Sequence, residues 1–322
     1  MSSSNLGTLN PPPVELQIPV VIGIDIGGTK IRIGAVTEQG ALYNLQVVAQ
    51  ESILFDETAM EQLHVFIADY IANGNKNWKV NAVVLAFPAT LDKSRSMVTN
   101  APNITGMNEK PVRDYLQNSL GVPVYLTKDV NALLHYDIMR FRIAIDSSSV
   151  ITAFYVGTGL GNAIFMKGDF FAGESGAAGE LGHVPIWGEE AQCSCGNIGC
   201  AECAAAGKCL NELLKTAFPN TPGHEIFTKH ANDSHIIDFI GKLAAVIATE
   251  INILDPGTVV LGGGVLDMPD FPMHALEAKI ASHSRKPLPT NRRVIHSTNP
   301  DDKNGVVGSA MYGWKTLSSE GK

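Results

Sequence analysis

The chain has 322 residues, of which 45% are hydrophobic and 17% charged, with a formal net charge of −8. That length supports a large core and more than one domain, and the acidic balance argues against a nucleic-acid partner held through its phosphates. The five cysteines fall in a pattern suited to a metal rather than to a disulfide framework, which points to a reducing, cytoplasmic setting. No run approaches the roughly 18 consecutive apolar residues of a membrane span.

Residues 1–19 are polar and Pro-rich, lack the charged start and apolar run of a signal peptide, and read as a flexible leader. Residues 20–36 read strand, turn, strand, with β-branched residues on both sides of Gly27-Gly28-Thr29 and Asp25 just before the turn. A helix is expected over 57–73, where Met60, Leu63, Phe66, Ile67 and Ile71 form one apolar stripe. A strand at 81–87, a short helix at 111–120 and a strand at 122–127 follow. The last strand runs into Lys128-Asp129-Val130-Asn131. The end of a parallel strand is where α/β proteins bind ligands, so Asp129 is either a general base or the N-cap of a following helix.

Residues 150–166 repeat the first build around Gly157-Thr158-Gly159, 130 residues after the first turn. That is duplication at domain scale. Farther on, His183, Cys193, Cys195 and Cys200 lie within eighteen residues of a Gly-rich segment. One imidazole and three thiolates complete a tetrahedral set for zinc with no position left for water, which marks a structural site. Glu180 and Glu202 flank it. A long apolar helix over 236–254 is stopped by Asp255-Pro256-Gly257, a strand at 258–261 enters Gly262-Gly263-Gly264, and a final helix covers 304–317. Alternating strands and helices give an α/β protein. The repeat suggests two lobes around a cleft: 20–129 with 305–322 as the smaller, and 130–304 as the larger, carrying the zinc site.

Two Gly-Thr turns facing one cleft suit a polyphosphate. Glycines let backbone N–H groups approach an anion, and Thr29 and Thr158 add hydroxyls. Asp25 could hold a magnesium ion or its waters. There is no Walker A run, and Gly157-x-Gly159-x-Gly161 has the wrong spacing for a dinucleotide fingerprint. Gly262 to Gly264 suits a flat adenine lying on backbone.

The runs DIGGTK (25–30), GTGLG (157–161), GELGH (179–183) and CSCGNIGCAE (193–202) resemble the ROK family of sugar kinases and repressors, over nearly all of 20–313. The runs AFPATLDKSRSMVTNAPN, KDVN, LGGGVLDMPDFP and RKPLP resemble those of the family's D-allose kinases. The resemblance implies a two-lobed, actin-like (ribonuclease H-like) ATPase fold and phosphoryl transfer from ATP to a sugar 6-hydroxyl. It implies Asp129 as the base and Asn103, Glu180, His183 and Glu202 as sugar contacts. Asp25, Gly27, Gly28, Thr29 and Lys30 would form the first phosphate loop; Gly157, Thr158 and Gly159 the second; and Gly262, Gly263 and Gly264 the adenosine region. A homodimer is expected from the resemblance alone. Family kinases usually carry Asn where this chain has Lys128, and Gly-x-Pro-Gly where it has Ala86-Phe87-Pro88-Ala89. Both changes put glucose in doubt and favour D-allose, with glucokinase, fructokinase or N-acetylhexosamine kinase activity as alternatives. Lys128 either turns to solvent or joins the sugar contacts. A repressor would need a helix-turn-helix domain before residue 20. A non-catalytic sugar sensor would not need Asp129 together with both turns.

Overall fold

The computed structural model describes residues 17–101, 104, 106–287, 289, 291–298 and 302–320. Asn103 and the leader up to residue 16 lie outside them. The chain opens with β1 (Ile18–Ile26), β2 (Lys30–Val36), β3 (Leu42–Ala49), α1 (Ala59–Ala72), β4 (Trp78–Phe87), the ribbon β5 (Thr90–Leu91) and β6 (Val98–Asn100), α2 (Val112–Leu120) and β7 (Val124–Lys128). Next come α3 (Asp129–Arg140), β8 (Val150–Val156), β9 (Leu160–Met166), β10 (Asp169–Phe170), α4 (Ala201–Ala205), α5 (Gly207–Thr216), α6 (Ile226–His230) and α7 (Ser234–Leu254). The chain closes with β11 (Thr258–Gly262), α8 (Met273–His283), β12 (Arg293–Ser297) and α9 (Asn304–Glu320).

Two five-stranded sheets carry the fold, ordered β3-β2-β1-β4-β7 and β10-β9-β8-β11-β12. Each has an antiparallel meander on one side of its central strand and two parallel strands on the other. The expected duplication is therefore visible as one topology used twice. Each sheet is covered on both faces, so its central strands are apolar throughout rather than alternating. In β1 and β4, Ile22, Ile24, Val83 and Leu85 face the cluster built with α1 and α2, while Val21, Ala82 and Val84 face α9. In β8, Phe154 and Val156 pack toward α7, and Ala153 and Tyr155 toward α3. The period of two in a strand deals one residue to each side.

α3 and α9 form the seam between the sheets. A Cβ added at Gly308 would lie 1.8 Å from the Ala132 carbonyl oxygen, so only glycine permits this approach. α7 is the backbone of the larger core. It starts on Asp233, whose carboxylate accepts the His235 N–H at 2.9 Å, and ends at Asp255 in the left-handed region (φ 45°). Between them Ile236, Phe239, Ile240, Leu243, Ile247 and Ile251 are buried, each contributing about 1.5–3 kcal/mol. No helix among the described residues is long and apolar enough to cross a membrane.

One polar residue interrupts this stripe. Glu250 is buried on α7, and Asn162 of β9 donates to its Oε1 at 2.9 Å. Burial pushes the Glu250 carboxyl up to about 7, with the Asn162 bond holding it back. A folded-state value raised above the unfolded one means stability is fully present at low pH and lost as pH rises through about 7. Glu250→Gln, which stays neutral, should match the parent chain at about pH 4, where the carboxyl is protonated in both folded and unfolded chains. At pH 8.5 it should be the more stable by up to about 3 kcal/mol. Thermal melts at the two pH values check this, and a variant weaker at both would contradict it.

Candidate active site

β1 ends at Ile26 and β7 at Lys128, two strands apart in the same sheet, with β4 between them. This sheet end presents Asp25, Lys128 and Asp129 together. Asp129 is the first residue of α3, and its Oδ1 accepts the N–H of Val130 at 2.8 Å. The position before the helix is Lys128, which makes no side-chain cap. Asp129 is thus not an N-cap in the usual sense; its carboxylate stays beside its own helix start, half-buried at the crevice. Burial pushes it up to about 7, against the Val130 N–H and Lys128, which lower it, while the Asp25 and Glu180 carboxylates add to the rise. A carboxylate poised near neutrality suits a general base.

Lys128 does not point to solvent. Its Nζ donates to Glu180 Oε1 at 2.6 Å and to the Ala178 carbonyl at 3.3 Å, and its side chain is 13% exposed. Glu180 in turn lies 3.9 Å from His183 Nε2. Lys128, Asp129, Glu180 and His183 therefore form one continuous polar wall, drawn from β7, α3 and the loop after β10.

The first turn is a tight one. Gly27 N–H donates to the Lys30 carbonyl at 2.8 Å, leaving Gly28, Thr29 and Lys30 exposed. Asp25 is opposite Arg32 in the β1–β2 register. Arg32 spans two carboxylates, with Nη1 3.3 Å from Asp25 and Nη2 3.1 Å from Asp302. Burial raises the Asp25 carboxyl, with Arg32 opposing. Arg32 did not stand out in the sequence, although counting the hairpin register outward from Gly27–Lys30 places it across from Asp25. The second turn closes by Gly157 N–H to Gly159 carbonyl at 2.9 Å. The N-terminus of α5 is tied to it, with Gly207 N–H donating to Gly157 and Lys208 N–H to Thr158 at 2.8 and 3.0 Å. Gly262 ends β11, Gly263 is left-handed (φ 101°), and Gly264 is exposed.

Glu202 makes no hydrogen bond to the Lys128–His183 wall among the described contacts, although His183 acts on its charge. It is buried, accepts from Lys208 Nζ at 2.6 Å and from the Cys193 thiol at 3.3 Å, and would be 2.5 Å from a Cβ on Gly159. Lys208 holds its carboxyl below the usual range even though burial pulls the other way. Lys208, six residues beyond Glu202, is a second residue the sequence reading missed. Its signal lay only in its place at the start of a helix that had not been foreseen.

His183, Cys193, Cys195 and Cys200 each bring one ligand atom to a common point, all within 4.8 Å of one another. Cys193 Sγ is 3.6 Å from His183 Nδ1, and Cys195 Sγ is 3.6 Å from Cys200 Sγ. A zinc tetrahedron with arms of about 2.0–2.3 Å has edges of about 3.3–3.8 Å. The donor set therefore fits that ion in chemistry, and these two edges match its size. His183 would bind through Nδ1, which leaves Nε2 toward Glu180. Purified protein should contain one zinc per chain. Cys195→Ser should lose most of it and lower the melting midpoint by about 5–10 °C. Metal analysis with calorimetric melts checks both, and zinc-free protein of normal stability would contradict the assignment.

The ROK family profile matches residues 21–315. The glucokinase of Thermotoga maritima is 24% identical over 310 residues, covering 90% of this chain and 96% of that protein. The N-acetylmannosamine kinase of Yersinia pestis is 26% identical, covering 92% and 99%. Among solved structures, the ROK hexokinase of Thermus thermophilus superposes with a TM-score of 0.75 at 25% identity, covering 93% of this chain and 99% of that one. The ROK family glucokinase of Streptomyces griseus, in complex with glucose and AMPPNP, superposes at 0.72 with 26% identity, covering 90% and 98%. With the two matching sheets, the paired glycine turns and the polar wall between them, these likenesses establish that the chain belongs to the ROK family.

Proposed function

We propose that this ATP-dependent sugar kinase transfers the γ-phosphoryl group of ATP to the 6-hydroxyl of a hexose, and that the hexose is D-allose. The observation that supports the chemistry most is Asp129. Its carboxylate stands at the sheet end between Asp25 and Glu180, with an acidity near neutrality. Phosphoryl transfer is largely positioning and charge stabilisation, with a base to orient the acceptor hydroxyl and take its proton. In this reading Asp129 accepts that proton. Glu180, His183, Glu202 and Asn103 serve as sugar contacts, and Lys128 closes the same wall.

The turns Gly27–Lys30 and Gly157–Gly159 present backbone N–H groups to the phosphates, and Gly262–Gly264 carries the adenosine. Magnesium arrives with ATP, where it neutralises phosphate charge; Asp25 is the oxygen donor placed to meet it. The zinc set His183, Cys193, Cys195 and Cys200 is structural, holding His183 against Glu180. The lobes are 20–129 with 305–322, and 130–304, and the working unit is a homodimer in the cytoplasm.

The preference for D-allose is attributed to Lys128 together with the loop Ala86 to Ala89. Allose and glucose differ only in the orientation of the 3-hydroxyl. A site that pairs one orientation rejects the epimer that leaves its buried groups unpaired. Asn, usual in the family, offers a donor and an acceptor; Lys128 offers donors alone, and two of its three are already given to Glu180 and Ala178. The remaining donor pairs with a 3-hydroxyl only in the epimer whose 3-oxygen lies toward Nζ.

Asp129→Asn should fold, bind sugar and lose about 10²–10⁴-fold in kcat. In the parent enzyme kcat/KM should rise with pH through about 7 as Asp129 ionises, and this acid limb should vanish in the variant. Retention of more than about half the rate would remove Asp129 from the role. Lys128→Asn should move relative kcat/KM from allose toward glucose by about tenfold or more. A steady-state panel of allose, glucose, mannose, fructose and N-acetylmannosamine decides between the allose reading and the other family substrates.

A further inference from the structure

α3 carries a second aspartate in quite different surroundings. Asp137, eight residues after Asp129, is buried on the side of the helix facing the large-lobe sheet. Both of its oxygens are occupied. The Tyr155 hydroxyl donates to Oδ2 at 2.8 Å and the Ser297 hydroxyl donates to Oδ1 at 2.6 Å. The donors come from β8 and β12, which are not neighbours; β11 runs between them. Gly262, the last residue of β11, pairs with Tyr155 on one side and Ser297 on the other. Contact there is close: a Cβ on Gly262 would lie 2.9 Å from the Ser297 carbonyl oxygen and 3.1 Å from Tyr155 Cδ1.

β8 leads directly into one glycine turn, and β11, the strand between the two that are held, leads into the other. Tyr155 is two residues before Gly157, and Gly262 opens the Gly262–Gly264 turn. On the next turn of α3, Arg140 Nη1 donates to the Thr298 carbonyl at 2.7 Å, extending the attachment past the end of β12. A charged group buried among neutral donors is costly unless it is fully bonded. Burial does push the Asp137 carboxyl above its ordinary range, with the Ser297 and Tyr155 hydroxyls opposing. The two hydroxyl bonds offset that cost and fix the carboxylate against both strands at once.

We propose that Asp137 is a positioning residue. Its carboxylate clamps β8 and β12 on either side of Gly262, and so fixes both nucleotide turns to the helix that begins with Asp129. Phosphate donor and base then keep one register. This rests on the reading of those turns as the nucleotide site and of Asp129 as the base.

Asp137→Asn replaces one acceptor oxygen with an amide NH₂, which cannot accept a hydroxyl proton, so one hydroxyl loses its partner in a dry interior. Tyr155→Phe removes one arm and leaves the helix unchanged. For both variants we expect the KM for ATP to rise and kcat to fall, each by about tenfold. Sugar affinity by calorimetry should stay within about twofold of the parent, and zinc content should be unchanged. The double variant should lose less than the product of the two single losses, because both remove the same clamp. Parent-like kcat and KM for ATP in both variants would overturn the proposal. So would a parallel loss of sugar affinity and melting temperature, which would make the network structural only. If the parent enzyme turns over ATP with no hexose, the underlying functional reading fails. The clamp is then judged by nucleotide binding alone, where both variants should still weaken AMPPNP and leave sugar untouched.

Discussion

The backbone contact between α3 and α9 is the constraint on which the crevice depends. α9 meets α3 at Gly308, against the Ala132 carbonyl, and one turn earlier it meets the end of β1 at Gly305, where a Cβ would fall 2.5 Å from Asp25 Cγ. The same helix therefore gauges Asp25 from one side and the helix of Asp129 from the other. Interiors are packed too densely to absorb a methyl group at such points without moving backbone. The distance between the two carboxylates is set by bare helix surfaces rather than by flexible side chains. Duplicated sheets alone would leave that distance free.

Charge is arranged around this frame with an economy of cations. The Asp25 and Glu180 carboxylates both act on Asp129, and two cations answer them: Arg32 for Asp25, and Lys128 for Glu180. Asp129 has no ion-pair partner of its own among the described contacts, which is why burial dominates its acidity. Lys128 is the better buried of its pair, at 13% side-chain exposure against 36% for Glu180. Its removal would strand a partly exposed carboxylate rather than a fully buried one, so the pair contributes more to shape than to stability.

How much of this was legible in the sequence follows from how local each feature is. The glycine turns and the cysteine spacing act over a few residues, and the structure places them as read. The strongly apolar strands β1, β4, β8 and β11 were also found, with ends shifted by up to three residues. β3 was missed because it is an exposed edge strand with a register shift in its pairing and Asn44 in the left-handed region. α8 was missed because only Leu276 is buried along it, which leaves no stripe to detect. At the site, the direction of Lys128 could not be read, since its partner lies 52 residues away on a loop. Asp137 was equally hidden, its partners being 18 and 160 residues distant. Glu202 shows the opposite case. Its place beside the metal set was evident, but its bond to Lys208 depends on where α5 begins.

His183 faces two ways, with Nδ1 toward the sulfurs and Nε2 toward Glu180. A single ring cannot rotate to improve one contact without spoiling the other. The Gly-rich loop and the crevice are thereby tied as one inheritable unit. Variation that reshapes the cysteine loop will be felt at Glu180 and through it at Lys128, and drift along that wall will be limited by what the four-residue cluster tolerates. Positions free of that double duty, such as the segment Ala86 to Ala89, can change without disturbing the cysteine loop.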